Sequence, residues 1–431
     1  MDVMNTLKVP FRHWPLQNAT NWTVKYGGQL MRGTKWLSRT FLQLAARKST
    51  FMKLNSTDSL TALSIASYPG GPDEFVALSR KVYEPPVSTL IQSPETRIFR
   101  VSSVVFEPHH EIFFTAGTAY RQQLGSGHEW RSLQEKHSMH SHIIDWSWRQ
   151  RILAATAPIN SAKRIESGIV INGRFPSNFY HVLIGICPRV FLMETLKVVP
   201  ERVPLLVSES LRGDPFEAIL RLFVGSSRQI VFLSDIPHLV SEAYVVESPV
   251  PEIARVKRGH PVPWHLMGSF NFSLMTEYRK FIIKTSEKYL PGSQPQARRK
   301  IFLKRSGPTR PFNQDEVEDM LIEQGFSVIE LDQYPFLQQV KIFSEAKTIV
   351  STTGAQWTGA MFSEDAKCIV IQPDFLSGSS LFSKLLYLGR SEIFEFPLEI
   401  QETTWNAYNI SKKRGHVDVE ALKATLSSIV D

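Results

Sequence analysis

Five small residues stand between two apolar stretches of the chain. Ser351, Thr352, Thr353, Gly354 and Ala355 follow a β-prone run and precede a second apolar run. If that second run is a helix, its first N–H groups have no partner within the helix and can face an anion. The glycine and the hydroxyls would let such a ligand approach the backbone. We therefore interpret the stretch as a phosphate-facing helix start, with a plain tight turn as the alternative.

Two arginines occupy a similar position after another β-prone run. The run IFLKR ends in Arg305, and Arg310 follows across a Ser-Gly-Pro-Thr turn. Each guanidinium can bind phosphate oxygens bidentately, so the pair suits a diphosphate, while solvent-exposed loop arginines are the alternative. The chain contains neither GxGxxG nor a Walker motif, which disfavours dinucleotide oxidoreductases and P-loop enzymes.

The elements that would position these residues alternate between strand and helix. The C-terminal order is IFLKR, NQDEVEDMLIEQG, FSVIELD, FLQQVKIFSEA, KTIVS, TGAQWTGAMF and CIVIQP, which predicts a doubly wound, Rossmann-like half. Asn313, with Glu316 three residues on, predicts a capping box for its first helix. Earlier, the apolar helix 178–196 and the runs VPLLVSE, PFEAILRLFV, RQIVFLS and AYVVESPV predict a second, mainly parallel sheet. We expect an α/β fold whose two Rossmann-like halves, joined near 255–275, face a cleft.

The positive charge is concentrated at the N-terminus. The net charge is +8, and residues 1–57 contain nine Lys or Arg against one acidic residue, so the rest of the chain is balanced. We therefore expect no nucleic-acid binding by the body of the protein. Residues 30–48 have the periodicity of a basic amphipathic helix. Such a helix can contact an anionic membrane surface or pack on a neighbouring domain, and the second is favoured.

Histidines cluster between 109 and 142. His137, His140 and His142, with His109 and His110 upstream, make a metal site conceivable, yet their spacing matches no common zinc motif. We expect no metal and no cofactor.

The order of these motifs resembles glycosyltransferase family 61. The pattern R-x4-R-x2-N-x2-E, then Gln339, then GA opening a helix that ends in Phe362, is similar to the family's C-terminal half. The segment NFYHVLIGICPRVFLME resembles its N-x-x-H…PR helix, and HVDVEALKATL resembles its terminal helix. The similarity extends over roughly residues 165–430 and rests on order and spacing.

The resemblance implies a GT-B fold and an inverting glycosyltransferase that moves a sugar from a nucleotide-sugar donor, preferably UDP-linked, to a glycan or lipid-linked acceptor. It implies a role in polysaccharide, for example capsular, or glycoconjugate biosynthesis. His181 is the expected base, because histidine is the side chain that ordinarily exchanges a proton near neutral pH; a buried, hydrogen-bonded core histidine is the alternative. The donor diphosphate would contact Arg305, Arg310, Thr352, Thr353, Gly354 and Ala355, and the other cleft candidates are Asn178, Arg189, Asn313, Glu316 and Gln339.

Together with the resemblance, the pattern predicts five regions. They are a basic helical arm at 1–57, a connecting region at 58–100, an acceptor domain at 101–260, a nucleotide-sugar domain at 261–400 and a helical tail at 401–431.

Three positions depart from the family. Thr353 stands where the family commonly has His, Gly185 where it often has an acid, and Val370, Ile371 and Gln372 where a strand often carries one. An inactive nucleotide-sugar-binding or scaffold protein of the same fold is therefore the alternative function. A cytoplasmic location is favoured, with peripheral contact to a membrane as a further option. Five N-x-S/T sequons, at Asn18, Asn21, Asn55, Asn271 and Asn409, keep the Golgi or ER lumen as the alternative.

Overall fold

A computed structural model describes residues 50–56, 60, 62–77, 80–81, 84, 88–108, 113–115, 118–121, 143–147, 152–155, 162–173, 176–250, 270–290, 300–305, 312–373, 380–400 and 415–430. This part of the chain is a mixed α/β structure with sheets of eleven and six strands and two smaller two-stranded sheets. The basic helix predicted at 30–48 lies outside the described residues, while the end of the arm, Thr50–Ser56, is a strand.

The described residues form twenty-one strands, and through the C-terminal half these alternate with helices, as the sequence predicts. The strands are β1 Thr50–Ser56, β2 Ser64–Tyr68, β3 Glu74–Ala77, β4 Arg80–Lys81, β5 Ser88–Ile91, β6 Thr96–Phe106, β7 Phe113–Thr115, β8 Thr118–Arg121, β9 Ile143–Ser147, β10 Ile152–Ala155, β11 Lys163–Val170, β12 Leu205–Ser208, β13 Ile230–Leu233, β14 His238–Val246, β15 Lys300–Leu303, β16 Ser327–Ile329, β17 Thr348–Thr352, β18 Lys367–Gln372, β19 Glu392–Pro397, β20 Glu399–Ile400 and β21 Gly415–His416.

The described helices pack on the faces of the sheets. They are α1 Phe179–Leu196, α2 Phe216–Val224, α3 Phe272–Tyr289, α4 Gln314–Glu323, α5 Phe336–Glu345, α6 Ser380–Tyr387 and α7 Val419–Val430, with 3₁₀ helices at Glu209–Leu211, Leu331–Gln333 and Ala355–Phe362.

The six-stranded sheet, here called the C-terminal sheet, is parallel throughout. Its order is β16-β15-β17-β18-β19-β4, with β15 and β17 adjacent near its centre. All five residues of β17 are buried, because helices cover both faces of the sheet. The parallel arrangement brings the carboxyl ends of β15 and β17 to the same edge, where an α/β sheet binds ligands.

The eleven-stranded sheet, here called the N-terminal sheet, is mixed. It follows the order β13-β12-β11-β14-β6-β7-β8-β1-β10-β9, with β2 also paired to β6. The pairs among β13, β12, β11 and β14 are parallel, but β6 is antiparallel to β14 and to β7. The runs that predict a mainly parallel sheet, now β12, β13 and β14, do lie in its parallel part, whereas the part of the sheet that begins at β6 contains antiparallel pairs. Strands β6 and β7 are close in the sequence, and two such strands can pair antiparallel without a crossover helix.

The segment that precedes β6 reaches into the C-terminal sheet. Strand β4, Arg80–Lys81, pairs in parallel with Phe394 and Glu395 of β19 and forms the edge of that sheet. Glu74 of the same segment accepts a hydrogen bond of 2.7 Å from the hydroxyl of Tyr387, in the C-terminal half. The sheet therefore contains strands from both ends of the chain.

Helix α1 is a core helix interrupted by one π turn. It runs as an α turn at Phe179–His181, a π turn at Val182–Ile186 and an α-helix at Cys187–Leu196. By length and composition it could cross a membrane, but 61% of it is buried inside the protein, as is usual for the central helix of a folded core. Among the described helices it is the one that meets this length and composition.

The predicted capping box of α4 is wrong in its details. Asn313 does precede the helix, but its side chain makes no capping hydrogen bond. Instead its amide nitrogen donates to the Val417 carbonyl at 3.0 Å and to Glu316 at 2.8 Å, and its amide oxygen accepts from the Val417 N–H at 2.8 Å. Asn313 therefore fastens the C-terminal segment to the start of α4.

Glu107, the residue after β6, makes the stability of the fold depend on pH. Burial and the nearby Asp235 charge raise the pKa of Glu107 to about 7. Between the ordinary pKa of about 4.5 and pH 7, the folded protein binds a proton that the unfolded chain does not. This group therefore makes the protein more stable as the pH falls through that range, by at most about 3 kcal/mol.

We predict that Glu107→Gln removes this contribution. Urea unfolding at pH 5 and pH 8 should give a smaller gain in the free energy of unfolding at pH 5 than the parent protein shows. His238→Gln is the control of opposite sign, because burial lowers the pKa of His238 and its protonation below about 6.5 opposes folding. Equal differences between the two pH values in the parent and in Glu107→Gln would contradict the assignment.

Candidate functional site

Arg305 and Lys304 leave strand β15 on opposite sides. Successive side chains of a strand alternate in direction, and here the Lys304 ammonium pairs with Glu318 of α4 at 2.7 Å. The Arg305 Nη1 donates instead to the carbonyl of Thr353 at 3.3 Å, across the neighbouring strand end. Burial lowers the pKa of Arg305 from its ordinary value, although a guanidinium stays charged at neutral pH.

The loop after β17 is held by side chains of its own neighbourhood. The Ser351 hydroxyl donates to the Leu303 carbonyl at 2.9 Å, which joins the ends of β17 and β15. The Gln356 amide donates to the Ser351 hydroxyl and to the Thr352 carbonyl, each at 3.0 Å, and the Trp357 indole N–H donates to the same carbonyl at 3.0 Å. Thr352 and Thr353 are buried, so their positions are set by the fold.

Gly354 provides the space that Arg305 occupies. A Cβ on Gly354 would stand 2.7 Å from Arg305 Nη1 and 2.5 Å from Gln356 Oε1. Its φ of 168° is extended backbone, so the requirement for glycine here is one of space. We call Arg305 together with Thr352, Thr353 and Gly354 the arginine corner.

The helix predicted after Gly354 is present, but it is a 3₁₀ helix. It runs over Ala355–Phe362, and no side chain caps its start. Gly359 within it lies against α5, since a Cβ there would come within 2.1 Å of the Phe343 ring. The helix begins directly after Gly354, whose Cα lies next to the Arg305 guanidinium.

His181 ends the first turn of α1 and lies near the same 3₁₀ helix. The Asn178 amide oxygen caps this turn by accepting from the Tyr180 N–H at 2.9 Å. The ring of His181 contacts Tyr180 edge-on with centroids 5.2 Å apart, and its side chain is half-buried. Cα atoms of the Phe179–His181 turn lie within 8 Å of Cα atoms of the 3₁₀ helix, and Phe336 packs against both Phe179 and Phe362.

Two other predicted cleft residues hold backbone at the ends of strands. Arg189 is 6% exposed and donates to the Gly185 carbonyl at 2.5 Å and to the carbonyl of Asn172, which follows β11. Gln339 is 9% exposed and donates to the carbonyls of Leu331 and Tyr334 at 2.9 and 2.8 Å, which holds the loop after β16. Asn313 and Glu316 lie at the start of α4, as described above.

Several predicted residues lie outside the described part of the chain. They are Arg310 and the histidines His109, His110, His137, His140 and His142. Within the described ranges, no group of three His, Cys, Asp or Glu residues could hold a metal ion.

Sequence reasoning missed the polar side chains that support the arginine corner. Gln356 and Trp357 follow it directly, and an amide in an otherwise apolar helix is the signal that could have drawn attention to Gln356. Tyr278 and Arg279 of α3 also went unnoticed, because the carbonyls that they contact are more than eighty residues away in the chain. No local pattern reveals such partners.

A half-buried guanidinium at the edge of a parallel sheet suits an anionic ligand such as a phosphate group. The part of the chain that contains it also matches a known family. Residues 179–370 match the family model described as Glycosyltransferase 61, and a search of curated proteins returned no match. The class of enzyme defined in this way is a glycosyltransferase. More particularly, residues 179–370 are a glycosyltransferase family 61 domain, and they contain the arginine corner and His181.

We predict that Gly354→Ala and Gly359→Ala have different consequences. The first meets only the ends of two flexible side chains, so it should displace Arg305 and weaken the binding of inorganic diphosphate with little change in melting temperature. The second meets the buried Phe343 ring, so it should lower the free energy of unfolding by about 1–3 kcal/mol. Calorimetric titration and thermal unfolding measure the two quantities. Unchanged diphosphate affinity in Gly354→Ala would show that Arg305 is not displaced or not used.

Proposed function

We propose that the protein is an inverting glycosyltransferase that moves a sugar from a nucleoside diphosphate donor, preferably UDP-linked, to a hydroxyl of a glycan acceptor. The observation that carries this proposal is the arginine corner, a half-buried guanidinium beside a glycine at the carboxyl edge of a parallel sheet. Charge preorganised at such a point stabilises a leaving diphosphate.

The arrangement of the two sheets supports a GT-B-like architecture. Helix α1 follows β11 of the N-terminal sheet, and the 3₁₀ helix follows β17 of the C-terminal sheet. The first turn of α1 packs near this 3₁₀ helix. In the proposed enzyme the acceptor binds on the α1 side and the donor on the C-terminal side, with the reaction between them.

The reaction requires a base for the acceptor and positive charge for the leaving group. The acceptor oxygen attacks the anomeric carbon on the face opposite the diphosphate and gives its proton to His181. The bond between that carbon and the diphosphate oxygen breaks, and its electron pair stays on the diphosphate, so the configuration inverts. A positioned general base contributes typically about 10²–10⁴-fold to the rate.

Further residues would complete the proposed donor site and cleft. Arg305, Gly354 and the N–H groups from Ala355 onward would bind the diphosphate, and Arg310, which lies outside the described residues, is the further candidate for this contact. Asn178, Arg189, Asn313, Glu316 and Gln339 would support the cleft through the backbone contacts described above. The proposed reaction uses no metal and no cofactor, because the guanidinium and the backbone supply the positive charge.

We place the enzyme in the cytoplasm, in polysaccharide, for example capsular, or glycoconjugate biosynthesis. Peripheral membrane contact through residues 30–48 is the alternative to packing of that segment on a neighbouring domain. One of the five sequons gives no support to a luminal location. Asn271 is fully buried, and its amide donates to the carbonyls of Pro69 and Pro94 at 3.2 and 2.9 Å, so it cannot carry a glycan in the folded protein. The Golgi or ER lumen is the alternative location, in which the other four sequons could be glycosylated.

An inactive nucleotide-sugar-binding or scaffold protein is the second candidate. Thr353 favours it, because this residue stands where the family commonly has His, and its side chain is buried with only 7% exposed. Such a protein would bind the donor at the same corner without turnover.

We predict that one nucleoside diphosphate raises the melting temperature and that Arg305→Ala abolishes the shift. Saturation at 100 Kd should add about 2.7 kcal/mol to the free energy of unfolding. Lys304→Ala is the matched control, since it removes a neighbouring positive charge that pairs with Glu318 on the other side of β15. Shifts that persist in EDTA would support binding without a metal.

The same preparation tests turnover. With a donor of the nucleotide so identified, His181→Ala should lower kcat by about 10²–10⁴-fold and leave nucleotide affinity unchanged. Normal turnover in His181→Ala would remove it as the base. Nucleotide binding without transfer or donor hydrolysis by the parent protein would favour the inactive binder, and no binding at all would overturn the proposed function.

A further inference from the structure

Two consecutive residues of α3 reach into the two halves of the candidate site. The Tyr278 hydroxyl donates to the Leu183 carbonyl, in the π turn that follows His181, at 2.9 Å. The Arg279 Nε donates to the Met361 carbonyl at 2.7 Å, and its Nη2 donates to the Ser363 carbonyl at 3.0 Å. These last two carbonyls lie at the end of the 3₁₀ helix that begins beside Gly354.

The π turn explains why Leu183 needs a donor from elsewhere. The Cys187 N–H bonds the Val182 carbonyl, five residues back. In the same frame the Leu183 carbonyl would accept from residue 188, which is proline and has no N–H. A buried carbonyl without a partner costs about 1–3 kcal/mol, and the Tyr278 hydroxyl supplies the missing donor. Tyr278 is fully buried, and burial raises its pKa well above the ordinary value, so the hydroxyl keeps its proton.

Arg279 acts in a similar way on the other side. It is 8% exposed, and its two hydrogen bonds satisfy carbonyls that the end of a helix leaves without N–H partners. A positive charge at this end is also favoured by the helix dipole. Gly389 leaves room for the contact, since a Cβ there would stand 1.9 Å from the Ser363 carbonyl oxygen and 3.5 Å from Arg279 Nη2.

We propose that Tyr278 and Arg279 are positioning residues: Tyr278 sets the orientation of the turn that carries His181, and Arg279 sets the position of the 3₁₀ helix that carries the arginine corner. Because the two residues are adjacent in one helix, they also fix the spacing between the base and the diphosphate site. This inference rests on the proposed function, since it assigns roles relative to His181 and Arg305.

The two positioning roles predict different effects on catalysis and on nucleotide binding. Tyr278→Phe keeps the ring and removes one hydrogen bond to the turn of His181, so it should lower kcat at least about tenfold and move the pH profile of kcat. Its affinity for the stabilising nucleoside diphosphate should be unchanged. Arg279→Lys keeps the charge but cannot donate to the Met361 and Ser363 carbonyls in the same geometry. It should weaken nucleotide affinity about tenfold and leave the pH profile of kcat unchanged.

Two matched variants control for general loss of stability. Ser286→Ala removes a hydroxyl-to-carbonyl bond of 2.8 Å to Leu337 from the same helix. Arg228→Lys alters a buried guanidinium that donates to the carbonyls of Pro200 and Val203 at 2.9 and 2.6 Å, away from the site. Both should lower the melting temperature, because each weakens buried hydrogen bonds to carbonyls. Neither should change the pH profile or the nucleotide affinity.

The outcomes distinguish this inference from the proposed function. A parent protein that binds nucleotide and transfers sugar, with test variants that behave like their controls, overturns the positioning roles alone. A parent protein that does neither overturns both proposals. Should Arg279→Lys not accumulate as folded protein, Arg279→Gln, which keeps one donor for the same carbonyls, replaces it with the same expected loss of affinity.

Discussion

The contact between the Arg305 guanidinium and the Thr353 carbonyl is the interaction on which the candidate site depends. It requires β15 and β17 to be neighbours, because only adjacent parallel strands bring their carboxyl ends this close. It also requires residue 354 to lack a Cβ. Burial makes the charge of Arg305 less favourable, as its lowered pKa indicates, and a bound anion would relieve that penalty. The folded protein therefore holds this site in a state suited to negative charge.

Most of the polar side chains around that contact serve the backbone. Arg189, Gln339 and Asn313 each hold a segment that follows a strand, and Gln356 does the same for the corner itself. Such contacts fix loops that lack regular hydrogen bonding of their own. Groups that act on a ligand must be held to a fraction of an ångström, so the supporting residues are as necessary as those that touch it.

Much of the C-terminal half could be predicted from the sequence, because its strands and helices have clear apolar periodicity. In a parallel sheet, moreover, the carboxyl ends of all strands lie at the same edge. That rule alone brings Arg305 and Gly354 together. Other features depend on partners far away in the chain. Asn313 looks like a local cap, but its partner is Val417, and the two residues of β4 carry no recognisable pattern. The close packing of Gly359 in the 3₁₀ helix against Phe343 likewise depends on tertiary structure, which helix propensity does not describe.

Strand β4 makes the C-terminal sheet discontinuous in sequence. The edge of that sheet joins residues 80–81 to residues 394–395, so its pairing closes a loop of more than three hundred residues. During synthesis, β4 cannot pair until most of the chain, including β19, has been made. Contacts of such sequence separation slow folding, because the entropy of closure is lost before the pairing is gained. Residues 179–370 alone would lack both β4 and β19, so the family domain is not expected to fold as an isolated fragment.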